Sequence, residues 1–177
     1  MDTANTTDVT GRLPTGVWSV DPARSELAFA VKAMWGLATV RGVFGAYRGT
    51  LTVRSGSASG DLRIEATSLD TRNRRRDRHL RSADFFDVER HPEIVFTAAA
   101  LTPRPDGVTI AGELTIAGSR LWLELPVTVE QMADGTWSVE GETTLSRESA
   151  GMTWNMLGTI GDDARLHARL TLEPATG

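Results

Sequence analysis

The chain has 177 residues, 40% of them hydrophobic and 24% charged, the proportions of a single soluble domain able to bury a sizeable core. It contains no cysteine, which excludes disulfides and thiolate metal sites, and its formal net charge of -4 argues against a surface drawn as a whole to nucleic acid or anionic lipid.

Residues 1–16 are polar and lack the basic start and apolar core of a secretory signal, so they are expected to form a disordered tail ahead of one domain over 17–174. No run approaches the ~18 apolar residues needed to cross a bilayer, and the expectation is a soluble, cytoplasmic protein.

From residue 17 onward the pattern is that of strands. Leu27, Phe29 and Val31 alternate with polar or small residues, and Asp61-Leu62-Arg63-Ile64-Glu65-Ala66 places charged and apolar side chains on opposite faces. The same period runs through Val108, Ile110, Leu114 and Ile116, through Leu121, Leu123, Leu125, Val127 and Val129, and through Leu166, Ala168, Leu170 and Leu172. Turn residues separate these segments at Ser55 to Gly60, Pro103 to Gly107, Ala117-Gly118-Ser119 and Ala133-Asp134-Gly135, and such short connections favour antiparallel neighbours.

One charged segment interrupts the series. Thr71 or Asn73 is placed to cap a short helix over Arg74 to Arg81, in which only Leu80 is apolar; Phe85, Phe86 and Val88 follow, and His91-Pro92 returns the chain to extended structure. The six arginines between Arg72 and Arg81 read as a solvated face, since no aromatic residues interleave with them as a nucleic-acid surface would require.

Roughly seven to nine strands with so little helix cannot leave an open sheet half covered, so the chain is expected to be all-β, a single antiparallel barrel of about eight strands with one short helical insert. A sandwich is the alternative. Hairpin succession and the removal of exposed edges favour closure, and a barrel of that size either fills itself with side chains or holds one small ligand.

Several motifs in order carry a family resemblance. They are Trp18-x-x-Asp21-Pro22 with Ser25, Gly42-x-Phe44 ahead of Gly49, the block from Thr71 to Phe96 with Arg76-Asp77-x-His79-Leu80 and Asp84-Phe85-Phe86-Asp87, and Gly112-Glu113-Leu114-Thr115-Ile116-x-Gly118. The chain resembles the YceI-like family of lipocalin-like polyisoprenoid-binding proteins from about Trp18 to Glu173. Arg24 stands where that family commonly has histidine. The resemblance implies an extended antiparallel barrel with a long apolar channel for an isoprenoid chain, no established catalysis, and a homodimer. The expected ligand is of polyprenyl or isoprenoid-quinone type, with no cofactor required, and transient membrane contact is expected.

On that reading the candidate channel residues are Phe29, Val31, Val43, Phe44, Leu62, Ile64, Phe85, Phe86, Ile94, Phe96, Leu114, Ile116, Leu123 and Leu125. Met34, Trp35, Met152, Trp154 and Met156 are candidates for the mouth or end wall. Each has plain core packing as its alternative. Arg76, Asp77, His79 and Arg81 on the insert are the candidates for a polar headgroup, against structural ion pairing. The inward stripes are nearly all apolar and contain no ionisable residue placed to do chemistry.

No metal site or catalytic residue is expected. His79, His91 and His167 lack ligand spacing, and neither Ser25 nor Ser82 sits in a nucleophile elbow. Nucleic acid is not an expected partner. The alternative function is a barrel that binds another apolar small molecule, with a stress-related or enzymatic role at its mouth.

Overall fold

The computed structural model describes residues 14–55 and 57–176. Ten strands and one helix follow in order: β1 Gly16–Ala33, β2 Ala38–Phe44, β3 Tyr47–Arg54, β4 Ser57–Glu65, β5 Leu69–Asp70, α1 Arg74–Arg81, β6 Glu93–Arg104, β7 Gly107–Ile116, β8 Ser119–Gln131, β9 Trp137–Ser146 and β10 Asp163–Pro174. Most of the tail expected over 1–16 lies outside the described residues, and Gly16 is already the first residue of β1.

All the pairings are antiparallel. Eight strands close in the order β1, β3, β4, β6, β7, β8, β9, β10 and back to β1, so the barrel has no free edge along that circuit. The sandwich alternative is excluded by the closing β1–β10 pair.

β1 is 18 residues long and changes neighbours along its length. Gly16–Ser19 pairs with β3, whereas Leu27–Ala33 pairs with β2, which in turn pairs with β5. The change occurs at a break in register between Asp21 and Glu26 against β10.

The Asp21-Pro22-Ala23-Arg24-Ser25 motif builds that break. Ser25 Oγ donates to the Asp21 carbonyl at 2.6 Å and accepts the Thr171 amide at 2.9 Å, replacing ladder bonds that the bulge removes. Arg24 reaches Asp21 at 2.7 Å and Asp134 of the β8–β9 hairpin at 2.6 Å. An arginine at this position therefore ties the bulge to a neighbouring hairpin, which a shorter imidazole does not span in the same way.

Two apolar clusters fill the interior. In one half, Trp18, Val108, Val127, Val129, Trp137, Val139 and Leu172 pack together. In the other, Leu27, Ile64, Leu69, Phe85, Phe86, Ile94, Leu114 and Met152 surround a hollow.

Helix α1 begins where Asn73 accepts the Arg76 amide at 3.0 Å; Asn73, not Thr71, is the cap. Thr71 instead joins a buried network. Its amide and hydroxyl both donate to Asp77, at 3.0 and 2.5 Å, and its hydroxyl accepts from Arg76 Nε at 2.8 Å. Arg81 donates to the Thr67 and Leu69 carbonyls at 3.0 and 2.7 Å. So Arg76 and Arg81, read from the sequence within a solvated face, pin the insert to the segment before it.

On the outer face Glu140 of β9 lies opposite Arg169 of β10, with the His167 ring 3.0 Å away. Arg169 first and His167 second hold the Glu140 carboxyl down to about 2 from the usual 4.5. A depressed carboxylate contributes stability that is present above its unfolded value and lost as pH falls through the folded one. The unfolding midpoint in urea is expected to fall as pH drops from about 4.5 towards 2, and Glu140→Gln to flatten part of that fall; an unchanged profile in the variant overturns the assignment.

Candidate functional site

The hollow half of the barrel encloses a cavity of about 320 Å³, at the lower end of the ~300–1,000 Å³ range of small-molecule sites. Its wall is built by strand parity. Inward residues of β1 (Phe29, Val31, Ala33), β2 (Val40, Phe44), β7 (Leu114, Ile116) and β10 (Ala164, Leu166) alternate with outward ones, and Ile64 and Ile94 face each other across the β4–β6 pair.

The insert covers this half. Phe86 packs against Phe44 and Phe29, with ring centroids 5.9 and 6.4 Å apart, and the Phe29–Phe44 pair closes that triangle at 5.5 Å. A second triangle joins the insert to the β9–β10 connection: His79 lies 4.4 Å from Trp154 and 5.2 Å from Phe85, and Phe85 lies 5.5 Å from Trp154. Edge-on contacts of this kind are favoured by the ring quadrupole and stabilise beyond area burial.

Of the candidates read from the sequence, Phe29, Val31, Phe44, Ile64, Phe85, Phe86, Ile94, Leu114, Ile116, Met152 and Trp154 line the cavity together. Leu62, Phe96 and Leu125 do not; they line a separate space of about 90 Å³ in the filled half. Leu123 is buried in the core packed around the cavity, without facing the hollow. Val43 is on the outer face because it is adjacent to Phe44 in one strand, and neighbours in a strand point to opposite sides.

Met34, Trp35 and Met156 are also outside the cavity, 57%, 71% and 64% exposed. They sit in two tight turns, over residues 34–36 and 156–158, in which Met34, Trp35 and Leu157 have φ values of 51°, 53° and 59°. This left-handed backbone turns the side chains past the strand ends and away from the barrel.

The headgroup candidates separate as well. Arg76 and His79 line the cavity, but Asp77 and Arg81 do not, being committed to Thr71 and to the Thr67 and Leu69 carbonyls. His79 directs Nε2 to Asp84 at 2.8 Å, so its ring carbons, packed on Trp154, serve as wall.

Sequence reasoning missed Ala33, Val40, Leu80, Leu145, Ala150, Ile160, Ala164 and, above all, Arg147. The signal for Arg147 was present: it continues the inward phase of Trp137, Val139 and Leu145 at spacing two. Only 4% of it is exposed. Its Nε donates to the Gly161 carbonyl at 3.2 Å, and its Nη1 donates to the Trp154 carbonyl at 3.2 Å and to that of Met152. This buried guanidinium is a charged member of the cavity wall that lies outside the apolar stripes read from the sequence. Beyond Arg76, His79 and Arg147 the wall is apolar, and it includes no carboxylate.

Asp162, whose carbonyl accepts the Arg147 amide at 2.9 Å, has its carboxyl held below the ordinary range by the Glu148 amide, the Ser146 hydroxyl and the Arg147 charge. Among the described residues no group of three or more His, Asp or Glu is placed to hold a metal. Among the described residues no helix is long and apolar enough to cross a membrane.

Comparison with known proteins agrees with this architecture. Protein YceI of Escherichia coli is 35% identical over 98 residues, 54% of this chain and 49% of that protein, so the chain spans about half the length of that relative. The crystal structure of BcnA from Burkholderia cenocepacia superposes with a TM-score of 0.79 at 22% identity, covering 89% of this chain and 99% of that one. A polyisoprenoid binding domain from Saccharophagus degradans, implicated in plant cell wall breakdown, superposes with a TM-score of 0.74 at 15% identity, covering 89% and 98%. The YceI-like domain model matches residues 18–172, from the first buried indole of β1 to the last buried leucine of β10, and the chain belongs to the YceI-like family.

Proposed function

We propose that this protein binds and carries an isoprenoid lipid, with the tail held in the cavity between the barrel and its insert. The observation that carries this reading is a 320 Å³ hollow whose wall, three residues apart, is hydrocarbon and aromatic. The binding of polyisoprenoid by the Saccharophagus domain of the same fold supports it. At ~0.8 kcal/mol per buried CH2, a tail of a few isoprene units gains on the order of 10 kcal/mol gross, before the cost of ordering the tail. No cofactor takes part. The small volume favours a short isoprenoid, or one end of a longer polyprenyl or quinone tail.

Native mass spectrometry of the purified chain, with extraction of whatever it holds, tests this reading directly. One isoprenoid per chain is expected. Ala164→Phe fills the hollow from β10, where Ala164 faces inward, and is expected to lower lipid retention at least about tenfold, while Ala100→Phe on the exposed part of β6 leaves it unchanged. Full retention in a folded Ala164→Phe chain overturns the placement of the tail.

The expected homodimer and the expected transient membrane contact both call for exposed apolar surface. Met34, Trp35, Leu37, Met156 and Leu157 supply one: they are 57–85% exposed, on two turns joined by the Trp35 amide donating to the Thr159 carbonyl at 3.3 Å. The two turns carry no charged residue, and they adjoin the cavity wall at Ala33, Val40, Trp154 and Ile160. We assign this rim to membrane contact during lipid exchange. Replacing Trp35 and Leu157 together by aspartate is expected to slow transfer of lipid from vesicles several-fold at unchanged final occupancy. A change of mass in light scattering, with transfer unaffected, assigns the rim to the homodimer instead.

A further inference from the structure

Four exposed arginines of the insert have no counterion. Arg72, Arg74, Arg75 and Arg78 all lie on the surface, and among the described residues no carboxylate oxygen comes within the 4.0 Å of an ion pair with any of them. By contrast, Arg24, Arg48, Arg63, Arg165 and Arg169 on the barrel each meet a carboxylate at 3.2 Å or less.

The carboxylates of the insert are engaged elsewhere. Asp70 accepts the Arg72 amide at 2.6 Å, the buried Asp77 accepts from Thr71, Asp84 meets His79 at 2.8 Å, and Asp87 lies 3.9 Å from Arg90. Asp87 and Glu89 share a groove with Arg74 and Arg78 but close no ion pair to either.

A helix charged in this way repels itself. Arg74 and Arg75 stand in the first turn of α1, where unpaired amides and the macrodipole already concentrate positive charge. Arg78 follows them at spacings of four and three, so like charges are also neighbours along one side of the helix. The chain as a whole carries a net charge of -4, yet six arginines stand against one aspartate from Arg72 to Arg81. An anionic surface laid against the insert relieves both repulsions.

The patch lies beside the apolar rim. Lys32 of β1 and Arg41 of β2, also exposed, share a groove with Arg72, and Lys32 precedes Met34 by two residues. Glu26, Asp70, Asp163 and the paired Glu142 line the same groove, so the excess of positive charge belongs to its insert side. At the other end of α1, His79 touches Trp154, just ahead of the turn at Met156.

We propose that Arg72, Arg74, Arg75 and Arg78 form the electrostatic part of a membrane-docking surface whose partner is a bilayer rich in anionic lipid headgroups. This rests on the assignment of the rim to membrane contact and adds the charge of the membrane it meets. The guanidiniums engage headgroup phosphates while the uncharged turns enter the acyl boundary. Because the same insert roofs the cavity with Phe85 and Phe86, docking it there brings the hollow to the lipid.

Cosedimentation of the full chain with vesicles of phosphatidylcholine alone, and of phosphatidylcholine with about one third phosphatidylglycerol, tests the proposal. Binding to the anionic vesicles is expected to be at least about tenfold tighter and to weaken steeply as salt rises from about 0.05 to 0.5 M. Replacing Arg72, Arg74, Arg75 and Arg78 together by glutamine is expected to reduce it to the level of neutral vesicles. Replacing Arg48, Arg54, Arg104 and Arg120 by glutamine removes the same net charge elsewhere and is expected to leave binding within about threefold. If either variant fails to fold by circular dichroism, the vesicle pair and the salt series on the unaltered chain decide. Equal binding to both vesicles overturns the basic surface and leaves the rim in place, whereas equal loss in both variants overturns the patch in favour of net charge. Competition by a DNA duplex that strips the chain from anionic vesicles overturns the lipid assignment. Failure to bind either vesicle overturns the membrane reading of the rim and the patch with it.

Discussion

A single strand that changes partners organises this molecule. β1 pairs with β10 on one side along almost its whole length, but on the other it gives up β3 for β2 once the chain has passed the bulge from Asp21 to Glu26. A closed barrel cannot accept that change without a local break in the ladder, and Ser25 supplies the replacement bonds. Beyond the break, β2 and β5 extend the wall, and the insert that follows β5 covers the interior instead of another strand.

The two halves of the barrel consequently hold different contents. Where the eight strands close directly, large side chains pack together, Trp18 and Trp137 among them, and leave a smaller space of about 90 Å³. Where the insert covers it, small residues at Ala33, Ala150 and Ala164 face the aromatic pair Phe85 and Phe86, and their combined volume falls short of filling the space. Its aromatic roof joins two segments far apart in the chain through the contact of His79 with Trp154.

Polar groups around the hollow follow the rule that buried charge must be satisfied. Asp77 and Arg76 bond to Thr71, and Arg81 bonds to the Thr67 and Leu69 carbonyls; together these contacts secure the insert. Arg147 does the same for the β9–β10 connection, but with backbone carbonyls alone.

Alternation of apolar and polar residues was enough to read the barrel from the sequence, because a period of two fixes which face is wet whatever the strand pairs with. It also carried Phe29, Val31, Ile64, Leu114 and Ile116 to the correct side, and the Asn-Arg-Arg-Arg run with its aromatic sequel marked the insert. Parity misses the turns: Met34 and Trp35 point away because their backbone is left-handed, a property of the local path and not of the pattern. Depth along the barrel was not legible either, since Leu62 and Ile64 share a strand face yet lie in different halves. The sequence by itself determined which side chains face inward, through local periodicity. Only the tertiary structure decided which of them enclose empty space and where Arg147 ends up, because both depend on side chains brought together from strands and loops remote in the chain.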